Sequence, residues 1–333
     1  MRVLVTGANG FLGRKVVQRL LDRGSEDIQV RCLVRKGSSL NGLDESKIEV
    51  FRGSLNDDSA IEKMLSDIDV LVHLAASMGG SPMGMYIETV VATEKLMNQV
   101  DKSDVKRIVF CSSFSVYGAS QLSSGSVFDE NCPLETKPHN RDAYAWCKYY
   151  QEKWMKMHSG DRPMVVIRPG VIYGEDKGLM SNRVGMNLPG LPFFLKIGGR
   201  ARVPLTHVVN CADALALATL NDSIGSQDIN IVDDECPTQS QYLKMYEKSF
   251  GKIPKKIPLP YWAFWFASYL FNKLHEVSKG NFPGIFSTYK VESMYRTYTY
   301  SNDKAKRLLG WNPDVSLPQG LAEAETFQSP EEK

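Results

Sequence analysis

Tyr144 and Lys148 stand four residues apart in the run Tyr144-Ala-Trp-Cys-Lys148. On a helix that spacing sets both side chains on one face, one turn apart. An ammonium beside a phenol stabilises the phenolate and is expected to lower the tyrosine pKa towards working pH. Such a tyrosine can act as general acid and base for a substrate oxygen. A lone Tyr-x-x-x-Lys is common on surface helices, so the pair needs support from elsewhere. Some comes from Cys111-Ser112-Ser113-Phe114-Ser115-Val116-Tyr117-Gly118, which closes a short apolar run. A serine hydroxyl there can hydrogen-bond the reacting oxygen. Ala75-Ala76-Ser77 closes the preceding run with small residues, which lets a flat ring or a ribose lie close.

A second constellation opens the chain. Thr6-Gly7-Ala8-Asn9-Gly10-Phe11-Leu12-Gly13 spaces its glycines G-x-x-G-x-x-G. Gly7 permits a tight turn, Gly10 lets the backbone approach a pyrophosphate, and Gly13 lets helix and strand pack closely. The following helix N-terminus offers amides and a positive dipole to phosphates. The plainer reading is a tight strand–helix turn and nothing more. A carboxylate about 20 residues beyond such glycines binds the adenosine ribose and favours NAD. This chain has Val34-Arg35-Lys36-Gly37-Ser38 instead. A guanidinium and an ammonium suit a 2′-phosphate, so NADP is the expected cofactor. The alternative is NAD, with Arg35 only stacking on adenine.

The elements that must position these groups follow from hydrophobic periodicity. Met1–Thr6, Ile28–Val34, Ile48–Arg52, Asp69–Ala75, Arg107–Ser112 and Met164–Arg168 read as strands. Phe11–Arg23, Ser59–Leu65, Met85–Val100 and Ala143–His158 read as helices. Such alternation implies an α/β fold, a doubly wound parallel (Rossmann) sheet with right-handed crossovers. Ser120 to Asp142 reads as a loop. Residues 1–173 form the expected dinucleotide-binding domain. Residues 174–327 form mainly a smaller substrate lobe, with segments returning to the sheet. The last residues, Gln328 to Lys333, are expected to fray.

Composition narrows the class. The 333 residues allow one large domain or two joined ones. Forty basic and 38 acidic residues leave a net charge of +2, so no field of one sign calls for nucleic acid. Cys32, Cys111, Cys132, Cys147, Cys211 and Cys236 lie far apart, without metal-ligand or redox spacing; they read as reduced thiols of a cytoplasmic protein. No metal site is expected. The start reaches the glycines too soon for a signal peptide. The most apolar stretch, Tyr261–Phe271, falls well short of the roughly 20 residues a transmembrane helix needs. It reads as a cap on a hydrophobic pocket, a helix on a membrane surface, or an ordinary buried helix.

Taken together, the motifs resemble those of the extended short-chain dehydrogenases/reductases. That superfamily holds nucleotide-sugar epimerases, 3β-hydroxysteroid dehydrogenases and dihydroflavonol reductases. The resemblance covers Met1 to about Ala322. It rests on TGANGFLG, on HLAA (His73–Ala76), on SSFSVYG and on YAWCK. RPGVIYG (Arg168–Gly174) and KAKRLLGWNP (Lys304–Pro313) complete it. It implies an NAD(P)-dependent oxidoreductase with Ser113, Tyr144 and Lys148 as catalytic residues. It implies cofactor contacts from Gly7, Asn9, Gly10, Phe11, Leu12, Arg35, Lys36, Ser54, Leu55, Leu74, Ala75, Ala76, Tyr144, Lys148, Pro169 and Val171. Ser77, Ser115, Arg183 and His207 are the substrate candidates. Ser54 stands where the family usually has Asp, and Thr89 where a helix Asn is usual. The Arg-x-Gly-Asp segment of nucleotide-sugar epimerases is missing around Arg296, although Arg296 or Arg183 could take its role. Pro204–Asn210 resembles the hydroxysteroid branch. The expected reaction is hydride transfer between nicotinamide C4 and a secondary alcohol or ketone. The alternative is a nucleotide-sugar epimerase or dehydratase that retains NAD. The resemblance also implies a small-molecule substrate and a homodimer through the helix carrying Tyr144 and its neighbour.

Overall fold

The computed structural model describes residues 1–175, 177, 179–187, 193–253, 255–278 and 288–327. Seven parallel strands form its central sheet. In chain order they are β1 (Arg2–Thr6), β2 (Gln29–Val34), β3 (Glu49–Arg52), β4 (Val70–His73), β5 (Arg107–Cys111), β6 (Met164–Pro169) and β7 (Gln227–Ile231). Their order across the sheet is β7-β6-β5-β4-β1-β2-β3, so the winding reverses between β1 and β4. Ligands of open α/β sheets bind at such a reversal, beyond the carboxyl ends of the strands. The register puts Thr6 beside both Leu33 and His73, and Cys111 beside Ile167. One edge therefore gathers the ends of β1, β2, β4, β5 and β6.

Helices cover both faces. Those that bear on the site are α1 (Phe11–Arg23), α2 (Asp58–Leu65), α3 (Ala92–Val100), α4 (Ala143–Met157) and α5 (Val208–Leu220). Val3, Val5, Val16, Val17 and Leu20 join Ala212, Leu215 and Ile229 in one core layer. Leu4, Ile61, Leu71, Leu96 and Phe110 form the other. Strands buried on both faces explain their unbroken Val/Ile/Leu character. Each complete burial of such a side chain contributes about 1.5–3 kcal/mol.

The predicted helix Met85–Val100 is in fact interrupted. A short helix, Pro82–Tyr86, leads into a π-helical turn over Ile87–Val91 before α3 begins. Thr93 Oγ1 donates to the Thr89 carbonyl at 2.6 Å, a side-chain bond that competes with the regular helical pattern. The segment Ser120–Asp142 also holds more than a loop. Val127–Phe128 pairs in parallel with Thr299–Tyr300, so the chain's last quarter returns to flank it.

Beyond β6 a second packing unit is built from short strands and from α6 (Gln239–Phe250), α7 (Tyr261–Val277), α8 (Thr288–Tyr295) and α10 (Leu317–Phe327), while α9 (Asp303–Leu309) packs back on the central sheet through Ala305 and Leu309. Tyr173, Val184, Phe194, Tyr242, Leu317 and Leu321 form the core of the second unit. All six cysteines are free thiols, and only Cys236 is not fully buried.

Candidate active site

The carboxyl edge opens into a cleft of about 1050 Å³. Glycine chemistry shapes its floor. Gly7 takes φ +70°, a left-handed conformation that favours glycine. A Cβ on Gly13 would sit 2.0 Å from the Gly7 carbonyl oxygen, so only glycine lets α1 approach β1 this closely. Helix α1 starts at Gly10 with no side-chain cap. Its first amides are left for another acceptor, which fits a pyrophosphate.

Most residues expected at the cofactor come together here. Gly7, Asn9, Gly10, Phe11, Leu12, Arg35, Ser54, Leu55, Leu74, Ala75, Ala76, Pro169 and Val171 line the cleft, as do Ser113, Ser115, Tyr144, Lys148 and Arg183. Lys36, Ser77 and His207 do not. Lys36 is exposed, two residues past the end of β2. Ser77 turns its backbone N–H to Thr89 Oγ1 at 2.9 Å and its hydroxyl to the Gly79 carbonyl. His207 is buried edge-on against Tyr173, with Gly320 packed on its ring, and burial pushes its pKa down to about 4. Arg296 has a structural task instead. It donates to the Ser120 and Leu122 carbonyls and pairs with Glu292.

Helix α4 brings Tyr144 and Lys148 to the cleft. Its N-cap is Asp142, which accepts from the Ala145 N–H at 3.0 Å. Ser113 caps the short turn Phe114–Val116 by accepting from the Ser115 N–H at 3.1 Å. The Lys148 ammonium is buried. It donates to the Cys111 carbonyl at 2.7 Å and to Gln151 Oε1 at 2.6 Å. Burial lowers its pKa to about 8, partly offset by Cys111 and Glu152.

The tyrosine departs from expectation. Its pKa is pushed up to about 12, not lowered. Burial is the main cause, Cys111 adds to it, and a hydrogen bond with Ser113 opposes it. In a site this enclosed, losing water costs a phenolate more than nearby polar groups return. The shift favours the phenol of Tyr144 over the phenolate.

Sequence reasoning missed the groups behind the lysine. Gln151, fully buried, donates to the Ala75 carbonyl and to Thr93 Oγ1, each at 2.9 Å. Because Thr93 gives its proton to Thr89, it accepts from His73 Nε2 at 2.9 Å. His73 Nδ1 then accepts from the Thr6 hydroxyl at 2.7 Å. One chain of buried hydrogen bonds joins the glycine turn to the helix that carries Tyr144 and Lys148. Thr89, the departure noted in the sequence, belongs to its edge. Glu152, beneath, accepts from Ser112 Oγ at 2.5 Å and pairs with buried Arg168. Glu88 was also missed. It lines the cleft from the π turn and lies 3.5 Å from Arg35. Ser38, Asn56, Met78, Lys177 and Ser181 also line the cleft. A period-based reading has no signal for any of them, since their neighbours come from distant segments.

Fold and site together define an enzyme of the dehydrogenase/reductase type built on a dinucleotide-binding sheet. The model of the NAD dependent epimerase/dehydratase family matches residues 3–231, and the chain belongs to that family. A sterol-4-alpha-carboxylate 3-dehydrogenase (decarboxylating) of Candida albicans is 30% identical, over 96% of this chain and 95% of its own. An N-acetyl-alpha-D-glucosaminyl-diphospho-ditrans,octacis-undecaprenol 4-epimerase of Escherichia coli O157:H7 is 26% identical, over 96% and 92%. Among solved structures, UDP-glucuronic acid 4-epimerase from Bacillus cereus in complex with NAD superposes with a TM-score of 0.71. It is 22% identical and covers 98% of both chains. Dehydrogenases and epimerases thus both stand among the relatives of this chain.

Proposed function

We propose that the enzyme transfers a hydride between a nicotinamide cofactor and a secondary alcohol or ketone carried on a largely apolar molecule. The observation that carries this reading is the convergence of Ser113, Tyr144 and Lys148 on the cleft that the glycine turn floors. When bound, the nicotinamide supplies or accepts the hydride at C4. Ser113 orients the substrate oxygen. Tyr144 exchanges the proton with that oxygen. Lys148 has one N–H left beyond Cys111 and Gln151, and it holds the nicotinamide ribose. Met78, Phe114, Val171, Ile172 and Pro204 give the cleft an apolar wall, which favours an apolar substrate body. Arg183 reaches the Tyr300 hydroxyl at the same end. It is the group we assign to a polar or anionic part of the substrate.

For the cofactor, Arg35 and Ser38 on the cleft support NADP. NAD is the alternative. Six free thiols fit a cytoplasmic setting. The Tyr86, Trp146 and Tyr150 cluster beside α4 fits a homodimer through that helix.

A second reading, epimerisation with retained NAD, draws on the 4-epimerase relative. Purified enzyme given NADPH or NADH with a panel of hydrophobic ketones decides between them. Net oxidation of added cofactor supports the reductase. Tightly bound NAD, sugar-nucleotide turnover and no net consumption would overturn it.

A further inference from the structure

We propose that α7 seats the enzyme on an anionic bilayer surface, with its exposed apolar stripe in the headgroup–acyl boundary. Trp262 (71% exposed), Phe266 (53%), Tyr269 (41%), Leu270 (48%), Leu274 (52%) and Val277 (81%) follow one another at helical spacing. The stripe runs for about 22 Å along the helix. Phe264 and Ser268, on the opposite face, are buried. Monomeric soluble proteins rarely leave so continuous an apolar face in water.

Charge selects the occupant. No Asp or Glu occurs between Glu247 and Glu276, whereas Lys248, Lys252, Lys255, Lys256 and Lys273 do. Lys252, Lys255 and Lys273 are exposed, and so is Ile257 on the strand entering α7, while Lys256 is held by Glu247. An apolar helix face with Trp and Tyr, flanked by lysines, is the composition of a helix lying in a membrane interface. A second copy of the chain is the weaker fit, because a two-fold contact would set this lysine-rich segment against itself. Among the described residues, no helix is long and apolar enough to cross a membrane, so the contact is lateral.

The position of α7 gives the contact a use. Phe264 packs edge-on against Tyr295 with ring centroids 5.7 Å apart, and the Tyr295 hydroxyl donates to the Asn182 carbonyl. Ser181 and Arg183, on either side of Asn182, line the cleft. The inner face of the helix that bears the stripe thus packs, through Tyr295, on the segment lining the cleft, which would set the cleft near a bilayer that dissolves an apolar substrate.

Vesicle flotation tests this without knowledge of the substrate. The full chain is mixed with vesicles of phosphatidylcholine plus phosphatidylglycerol, or of phosphatidylcholine alone. It should float with the anionic vesicles. Phe266→Glu with Leu270→Glu should lower partitioning about tenfold or more, each change removing one apolar anchor. Lys252→Glu with Lys255→Glu should weaken binding to the anionic vesicles only. Cofactor-binding titrations and melting curves check that the variants are folded; these exposed side chains lie outside the cleft. Failure of the wild type to float with either vesicle would overturn the proposal. So would a double-Glu variant that floats like wild type, or a non-floating wild type whose concentration-dependent dimer Leu270→Glu dissolves.

Discussion

Lys148 donates to Gln151 Oε1 at 2.6 Å, one turn further along the same helix that carries Tyr144. The glutamine is neutral, and its amide nitrogen is committed to Ala75 and Thr93. It therefore holds the ammonium in place without supplying a counter-charge. The lysine remains a cation whose remaining donor faces the cleft.

Removing that acceptor should be visible in cofactor binding. Gln151→Leu takes a hydrogen bond from a buried ammonium and favours the neutral amine. The inflection in cofactor affinity against pH should move below the pKa of about 8 assigned to Lys148. Gln151→Glu should move it upward, because a carboxylate stabilises the cation. Fluorescence titration of NADPH or NADH across pH reads both. An unmoved inflection in both variants would remove Gln151 from any positioning role.

Tyr144→Phe removes the proton donor and leaves the ring. Turnover should fall by about 10²–10⁴-fold, the usual contribution of a positioned acid or base. The dissociation constant for the cofactor should change far less than turnover, since the ring is kept and the glycine turn, Arg35 and Lys148 still hold the dinucleotide. Turnover and binding measured on the same preparation check both halves. Near-normal turnover would end the assignment.

Cofactor choice should respond to the pair Arg35 and Glu88. The carboxylate lies 3.5 Å from the guanidinium and competes with a 2′-phosphate for it. Glu88→Gln should tighten NADPH severalfold and leave NADH nearly unchanged. Arg35→Ser should weaken NADPH by about tenfold, the scale of one charge-assisted hydrogen bond. Dissociation constants for the two cofactors provide the ratio. An unchanged ratio in both variants would point to NAD.

His73 makes acid stability predictable. Burial lowers its pKa to about 3 from the ordinary value of 6.5. The unfolded chain then binds the proton first as pH falls. The stabilisation it confers is complete above pH 6.5 and is lost progressively between there and about 3. Near pH 5 one and a half pH units of that window correspond to about 2 kcal/mol. His73→Gln should flatten this part of the curve, whatever its effect near neutrality. Denaturant unfolding of both proteins across pH measures the difference, in which other titrating groups cancel.

Much of this molecule could be read from spacing alone. Gly7, Gly10 and Gly13, Tyr144 and Lys148 act through local geometry, and local geometry is what a linear pattern encodes. Ser113 was visible because a strand end announces the ligand edge. The buried chain from Thr6 through His73, Thr93 and Gln151 was not visible. Its four members come from four elements, and only the sheet order makes them neighbours. The direction of the Tyr144 shift was missed for a related reason. A sequence shows the nearby charge but not the extent of burial, and here burial dominates. His207 was offered as a substrate candidate because a polar ring in the run Pro204–Asn210 shows no partner in the sequence, while the packing of Gly320 against its ring is a long-range fact.

The distribution of the thiols has a practical consequence. Cys32 lies in β2, Cys147 in α4 and Cys211 in α5, all at 0% exposure, while Cys236 in the loop after β7 is the one partly open. A thiol-reactive dye would therefore reach Cys236 before the rest, although burial pushes that thiol's pKa up to about 12 and slows its reaction; the others wait until their surroundings breathe. Mass-resolved labelling over time turns the chain's own sulfur atoms into clocks, one per layer. Bound cofactor should slow the clock at Cys111, whose residue lines the cleft, more than that at Cys32 on the far side of the turn.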